Sequence, residues 1–136
     1  MKHRILVVED NPLNSELLRD WLEVEGYEVI IATDLNAAFV AVTNQLPGAI
    51  LLDIQLGSED GLSLASWMRE QPLLSEVPII AVTAQAMVSE QQHILQSGCK
   101  SIISKPVDFG ALQRQLQLWL SCSAVLQENR VSKKKN

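Results

Sequence analysis

The sequence predicts an α/β protein built on a five-stranded, doubly wound parallel sheet with five helices on both faces. Three observations predict it. Short apolar runs such as ILVV at 5–8, ILL at 50–52 and VPIIAV at 77–82 lack polar alternation, as expected of strands covered on both sides. Each run is followed by a segment of helical spacing, giving five β-α units in order. The runs also end on polar residues, and sheets of this class place their chemistry at the carboxyl ends of the strands.

The first strand spans Arg4 to Val8 and ends on Glu9 and Asp10. Asn11 followed by Pro12 reads as an N-cap and a first helical residue, and Leu13, Leu17, Leu18, Trp21 and Val24 hold helical spacing up to Gly26. Tyr27 to Ala32 is the second strand, and Asp34 to Asn44 a helix with Ala37, Ala38, Ala41 and Val42 for packing. Pro47 and Gly48 turn the chain into the third strand, which ends on Asp53. After Gly61 a helix carrying Leu62, Leu64, Ala65, Trp67 and Met68 runs to about Gln71, where Pro72 stops it. Val77 to Val82 forms the fourth strand, ending on Thr83, and a mostly polar helix follows from Met87 to Ser97, closed by Gly98. Lys100 to Ser104 is the fifth strand, ending in Lys105 and Pro106. Asp108 caps a last helix whose Phe109, Leu112, Leu116 and Leu120 repeat at three- and four-residue steps. The expected strand order is 2-1-3-4-5, a flavodoxin-like arrangement.

The 136 residues suit a single domain, taken here as 1–126, with 127–136 as a basic, solvated tail. No apolar run reaches the roughly 18 residues that span a membrane, and MKHRILVV is too short and too quickly acidic for a signal peptide, so a cytoplasmic location is expected. Net charge is −5, and the tail's Arg130, Lys133, Lys134 and Lys135 stand against Glu128 alone, so the folded part is strongly acidic. An acidic domain argues against direct nucleic-acid binding. Cys99 and Cys122 lack metal-site or disulfide spacing and read as reduced packing residues. Trp21, Trp67 and Trp119 fall in helical patterns and read as packing, and neither His3 nor His93 lies near the acids.

Each strand-end residue alone has a bland reading: a helix-favoured acid, a loop cap, a β-branched strand end, a solvated lysine. Together they make a site. Three carboxylates, Glu9, Asp10 and Asp53, converge if strands one and three are neighbours, and their repulsion calls for a cation. Mg²⁺ takes oxygen ligands and leaves room for phosphate oxygens. Thr83 would then donate a hydroxyl hydrogen bond, and Lys105 a point charge, to a phosphoryl group received by the Asp53 carboxylate.

At these residues the chain resembles the receiver domain of two-component response regulators, over roughly residues 4–121. The matching pieces are VVEDNPLN, LLDIQL, the Asp60–Gly61 pair, AVTA and SKPV. The resemblance implies that a histidine kinase phosphorylates Asp53. It also implies that Glu9, Asp10, Asp53 and the Gln55 backbone carbonyl bind Mg²⁺, and that Lys105–Pro106 is a cis peptide. Two positions depart from the family. Ile102 stands where an aromatic ring usually swings inward, and Gly57 replaces a usual proline, which is expected to loosen the loop.

The functional expectation is a stand-alone switch, not an enzyme for external substrates, fed by a sensor histidine kinase or a phosphotransfer protein. Its signal would leave by protein contact through the face of helix four, strand five and helix five, from a monomer or a phosphorylation-dependent homodimer. Rival readings fit less well. A haloacid-dehalogenase-type phosphatase needs a second acid where Gln55 stands, and a flavin mononucleotide binder needs a phosphate loop where EDNPLN supplies carboxylates. A constitutive adaptor would keep the fold without the switch.

Overall fold

The computed structural model describes residues 3–84 and 87–121. Five parallel strands, β1 (Arg4–Val8), β2 (Glu28–Ala32), β3 (Ala49–Asp53), β4 (Ile79–Thr83) and β5 (Ser101–Ser104), form one sheet in the order β2-β1-β3-β4-β5. The helices are α1 (Pro12–Val24), α2 (Leu35–Asn44), α3 (Leu62–Arg69), α4 (Val88–Gln96) and α5 (109–121). This is the expected architecture. Every residue of β3 and β4 is buried, which is why their sequences are continuous apolar runs.

Alternate strand residues feed two separate cores. Leu6, Val8, Ile50, Leu52, Ile79 and Ala81 pack with Ala38 and Val42 of α2, Leu64 and Met68 of α3, and Ile94 of α4. Ile5, Val7, Leu51, Ile80 and Ile103 pack on the other face with Leu18 and Leu22 of α1 and Leu112, Leu116 and Leu120 of α5. Side chains pointing alternately up and down therefore fix the register: a one-residue slip would exchange the two cores. The aromatic residues complete the packing. Trp21 lies 5.1 Å from Phe109, Trp67 meets Phe39 edge-on at 4.9 Å, and Trp119 donates its indole N–H to Ser101 and Gln115.

Local chemistry sets the element ends. Asn11 accepts hydrogen bonds from the N–H groups of Leu13 and Asn14, Asp34 from Ala37, and Asp108 from Gly110 and Ala111. Several ends differ from expectation: β5 starts at Ser101 instead of Lys100, α4 spans Val88–Gln96 instead of Met87–Ser97, and α2 starts at Leu35 with Asp34 as its N-cap. β2 starts at Glu28 because the Tyr27 N–H is taken by the Leu22 carbonyl beyond Gly26, whose φ is 94°. α3 stops at Arg69, ahead of Gln71, because the Glu70 and Gln71 N–H groups donate to the carbonyls three residues back, Trp67 and Met68, and tighten the last turn. β4 starts at Ile79 because Pro78 has no N–H, although its carbonyl accepts from Ile50 at 3.0 Å.

The loop after β3 is more ordered than expected. Gln55–Leu56 and Glu59–Asp60 pair as short antiparallel strands, joined by Gly57 and Ser58. Gly57 sits at φ 60°, the conformation a type II′ turn needs at its first central residue and one closed to proline. Instead of loosening the loop, Gly57 makes this tight turn. Among the described residues no helix is long and apolar enough to cross a membrane. Cys122 and the tail at 127–136, with the boundary at 126, lie outside the described residues.

Candidate functional site

The strand order brings Glu9 and Asp10 from the end of β1 beside Asp53 from the end of β3. One oxygen from each of the three carboxylates lies within 4.8 Å of the others, with Glu9 and Asp53 buried and Asp10 exposed. Thr83, also buried, ends the neighbouring strand β4. Lys105 reaches in from beyond β5, its Nζ 3.1 Å from Asp53 Oδ2 and 3.4 Å from Glu9 Oε1. Its backbone N–H donates to the Thr83 carbonyl at 2.8 Å, so the lysine and the hydroxyl share one anchor. The Lys105–Pro106 peptide is cis, as the family resemblance implies.

Backbone bonds hold the acids in place. Glu9 N–H donates to the Ala32 carbonyl at 3.0 Å, and Ile54 N–H to Val82 at 3.2 Å. The Asp53 Oδ1 accepts from the Gln55 N–H at 3.1 Å. Gly61 closes the loop from behind: its N–H donates to the Ile54 carbonyl at 2.8 Å, and Asp60 Oδ1 accepts from Leu62. A Cβ on Gly61 would stand 2.5 Å from the Asp53 carbonyl oxygen, so this position is glycine for space.

The electrostatics are those of a site short of positive charge. Burial pushes the Glu9 carboxyl up to about 7, helped by its hydrogen bond to Asp53 and the Asp53 charge, and Lys105 only partly offsets this. Burial alone would lower the Lys105 pKa, but the hydrogen bond and charges of Asp53 and Glu9 raise it on balance. All the acidic side chains offer hard oxygen ligands, and one lysine does not balance three carboxylates. That donor set fits Mg²⁺.

Two contacts were not legible in the sequence. Glu59 in the short hairpin accepts from the Leu35 N–H at 3.3 Å, tying the loop after Asp53 to the start of α2. Arg69 at the end of α3 donates to the Gln96 carbonyl at the end of α4 at 2.6 Å. Neither carries a local signature. Ile102 is half-buried against the core formed with α2, α3 and α4. Cys99 is buried and its thiol is pushed up to about 12, consistent with a packing role.

The comparisons converge on this geometry. The polar-differentiation response regulator DivK of Brucella anthropi is 40% identical over 107 residues, which is 79% of this chain and 87% of the relative. The receiver domain of sensor histidine kinase PA1611 from Pseudomonas aeruginosa PAO1, solved with a magnesium ion coordinated in its active-site cleft, superposes with a TM-score of 0.81 at 36% identity. That match covers 89% of this chain and 99% of the other. The BeF3-activated N-terminal receiver domain of Klebsiella pneumoniae RstA gives 0.79 at 26% identity, covering 86% and 97%. The family description "response regulator receiver domain" matches residues 5–117, a span that runs through every strand end of the site. The chain belongs to the family of response regulator receiver domains.

Proposed function

We propose that Asp53 is the phosphoacceptor, that Thr83 and Lys105 bind the phosphoryl oxygens, and that Glu9, Asp10, Asp53 and the Gln55 carbonyl hold Mg²⁺. As a receiver domain the chain is a phosphoaccepting signalling domain of two-component systems, not an enzyme acting on external substrates. A carboxylate oxygen of Asp53 attacks the phosphorus of a phosphohistidine. The N–P bond breaks, an acyl phosphate forms, and the leaving imidazole takes up a proton. Bound Mg²⁺ would supply charge neutralisation between the carboxylates and the incoming phosphoryl oxygens. The Lys105 ammonium follows the charge outward from Asp53 to the phosphoryl group, and the Thr83 hydroxyl donates from the adjacent strand.

The observation that carries this reading is the Lys105 Nζ 3.1 Å from Asp53 Oδ2, inside the cluster formed with Glu9 and Asp10. The upstream partner is a sensor histidine kinase or a phosphotransfer protein. Similarity to the receiver of a sensor histidine kinase and to DivK supports that class. Downstream, the signal leaves by protein contact through α4, β5 and α5. Because Ile102 has no ring to swing, α4 and the segment before it carry the change.

Intact-protein mass spectrometry after incubation with Mg²⁺ and acetyl phosphate tests the assignment. Wild type gains one phosphoryl group; Asp53→Asn gains none, and chelating the metal abolishes the gain in wild type. A wild type that gains nothing under any condition refutes it.

A further inference from the structure

Residues 55–60 fold back as a hairpin of two-residue strands, with Gln55 opposite Asp60 and Leu56 opposite Glu59. So short a pairing is not stable alone and needs tertiary support. Leu56 supplies part of it, buried in the core that includes Leu35 and Ala38 of α2 and Leu62 of α3. Glu59 adds a polar tether, its Oε1 accepting from the Leu35 N–H at 3.3 Å. Leu35 is the first residue of α2, so that N–H has no partner within the helix. Asp34, the N-cap, takes the Ala37 N–H at 2.7 Å, and the Leu35 N–H goes to Glu59. A carboxylate in this place also meets the positive end of the helix.

The same hairpin borders the acids of the site. Gln55 N–H donates to Asp53 Oδ1 at 3.1 Å. A Cβ built on Gly57 would stand 3.8 Å from Asp10 Oδ2, so the turn lies beside that carboxylate. Gln55, whose carbonyl is a ligand in the assignment above, adjoins the Leu56–Glu59 pair in the ladder. Freedom of the hairpin relative to α2 is therefore freedom of that carbonyl relative to the carboxylates. Mg²⁺ demands near-octahedral geometry, so order in this loop raises affinity by lowering the cost of assembling the site.

We propose that Glu59 is a positioning residue of the metal site, latching the hairpin to the first turn of α2 so that the Gln55 carbonyl is held ready for the cation beside Asp10 and Asp53. The proposal rests on the metal assignment above and adds what sets the affinity of that site. The role of Glu59 is to hold the loop, not to bind the ion.

Calorimetric titration of Mg²⁺ into the full chain, on wild type, Glu59→Asp, Glu59→Gln and Glu59→Ala, tests the latch. Glu59→Asp keeps the charge but shortens the arm by one methylene, out of reach of the Leu35 N–H, and the Mg²⁺ Kd rises about fivefold, as it does in Glu59→Ala. Glu59→Gln keeps the reach and an acceptor oxygen, and its Kd rises about twofold. A plain charge effect gives the other order, with Glu59→Asp like wild type and Glu59→Gln like Glu59→Ala, and overturns the proposal. In phosphoryl uptake from acetyl phosphate, the KM for Mg²⁺ rises by the same factors while the rate at saturating Mg²⁺ stays that of wild type. Without metal, amide exchange over residues 54–61 is faster in Glu59→Asp than in wild type; equal exchange also overturns the latch. A wild type that binds no Mg²⁺ refutes the metal assignment and the proposal with it, whereas wild-type binding with an unchanged Kd in Glu59→Asp overturns the latch alone.

Discussion

Replacing Gly61 by alanine tests whether the loop behind Asp53 is held by close backbone packing. The φ of Gly61 is −57°, so an L side chain meets no conformational barrier there; the obstacle is space. Its Cβ would lie 2.5 Å from the Asp53 oxygen, 3.0 Å from the Ile54 oxygen and 3.1 Å from the Ile54 Cα. All three are backbone atoms. No rotamer change relieves the clash, so the strand end or the start of α3 must shift. Overpacking of this kind costs about 1–3 kcal/mol. The 2.8 Å hydrogen bond from Gly61 N–H to Ile54 is strained in the same movement, adding about 0.5–1.5 kcal/mol. Alanine recovers nothing at an N-cap, where it is a poorer residue than glycine. The expected loss is about 2–4 kcal/mol, or a fall in Tm on the order of 10 °C for a chain of this size. Urea unfolding followed by tryptophan fluorescence measures it. Gly110→Ala is the control, because a Cβ there meets side-chain atoms of Asp108 and Arg114, the nearest at 3.3 Å; its stability should stay within about 1 kcal/mol of wild type. Since the shift moves Asp53 itself, Mg²⁺ affinity and phosphoryl uptake should fall with stability. Gly61→Ala unfolding within about 0.5 kcal/mol of wild type would refute the packing argument.

Two other predictions concern buried ionisable groups. Glu9 holds its proton to about 7 in the folded state but releases it near 4.5 when unfolded, so between those values the unfolded chain binds fewer protons. Metal-free stability therefore falls as pH rises from 4.5 to 7, by at most about 3 kcal/mol from this group. With Glu9 among the proposed ligands, Mg²⁺ would compete with the proton and should stabilise more at pH 8 than at pH 5. Urea midpoints of wild type and Glu9→Gln in chelator check the first part; equal pH slopes in the two proteins would remove Glu9 as the cause. Cys99 is 4% exposed with its thiol pushed up to about 12, so in a Cys122→Ser protein a disulfide reagent at pH 8 should react at least about a hundredfold faster after unfolding. Comparable rates in the folded protein would contradict the burial.

What the sequence determined by itself were the features carried by short stretches of chain. A run such as ILL at 50–52 announces a strand covered on both faces, because no alternation is needed where there is no solvent face. Asn11 and Asp108 announce helix starts because a cap bonds to N–H groups two or three residues away. Five polar residues at strand ends, in order, were enough to point to Asp53, since parallel strands bring all their carboxyl ends to one edge. Tertiary structure alone decided what depends on residues far apart in the chain. The pairing of Arg69 with Gln96 and of Glu59 with Leu35 spans 27 and 24 residues and exists only once the helices are packed. Gly57 reads from sequence as a loosened loop, and only the pairing of the short strands on either side makes it a tight turn. The Glu9 pKa required both its burial and the position of Asp53. A local signal survives in the sequence because the interacting groups are neighbours in every conformation of the chain; these contacts leave none, because folding is what makes them neighbours.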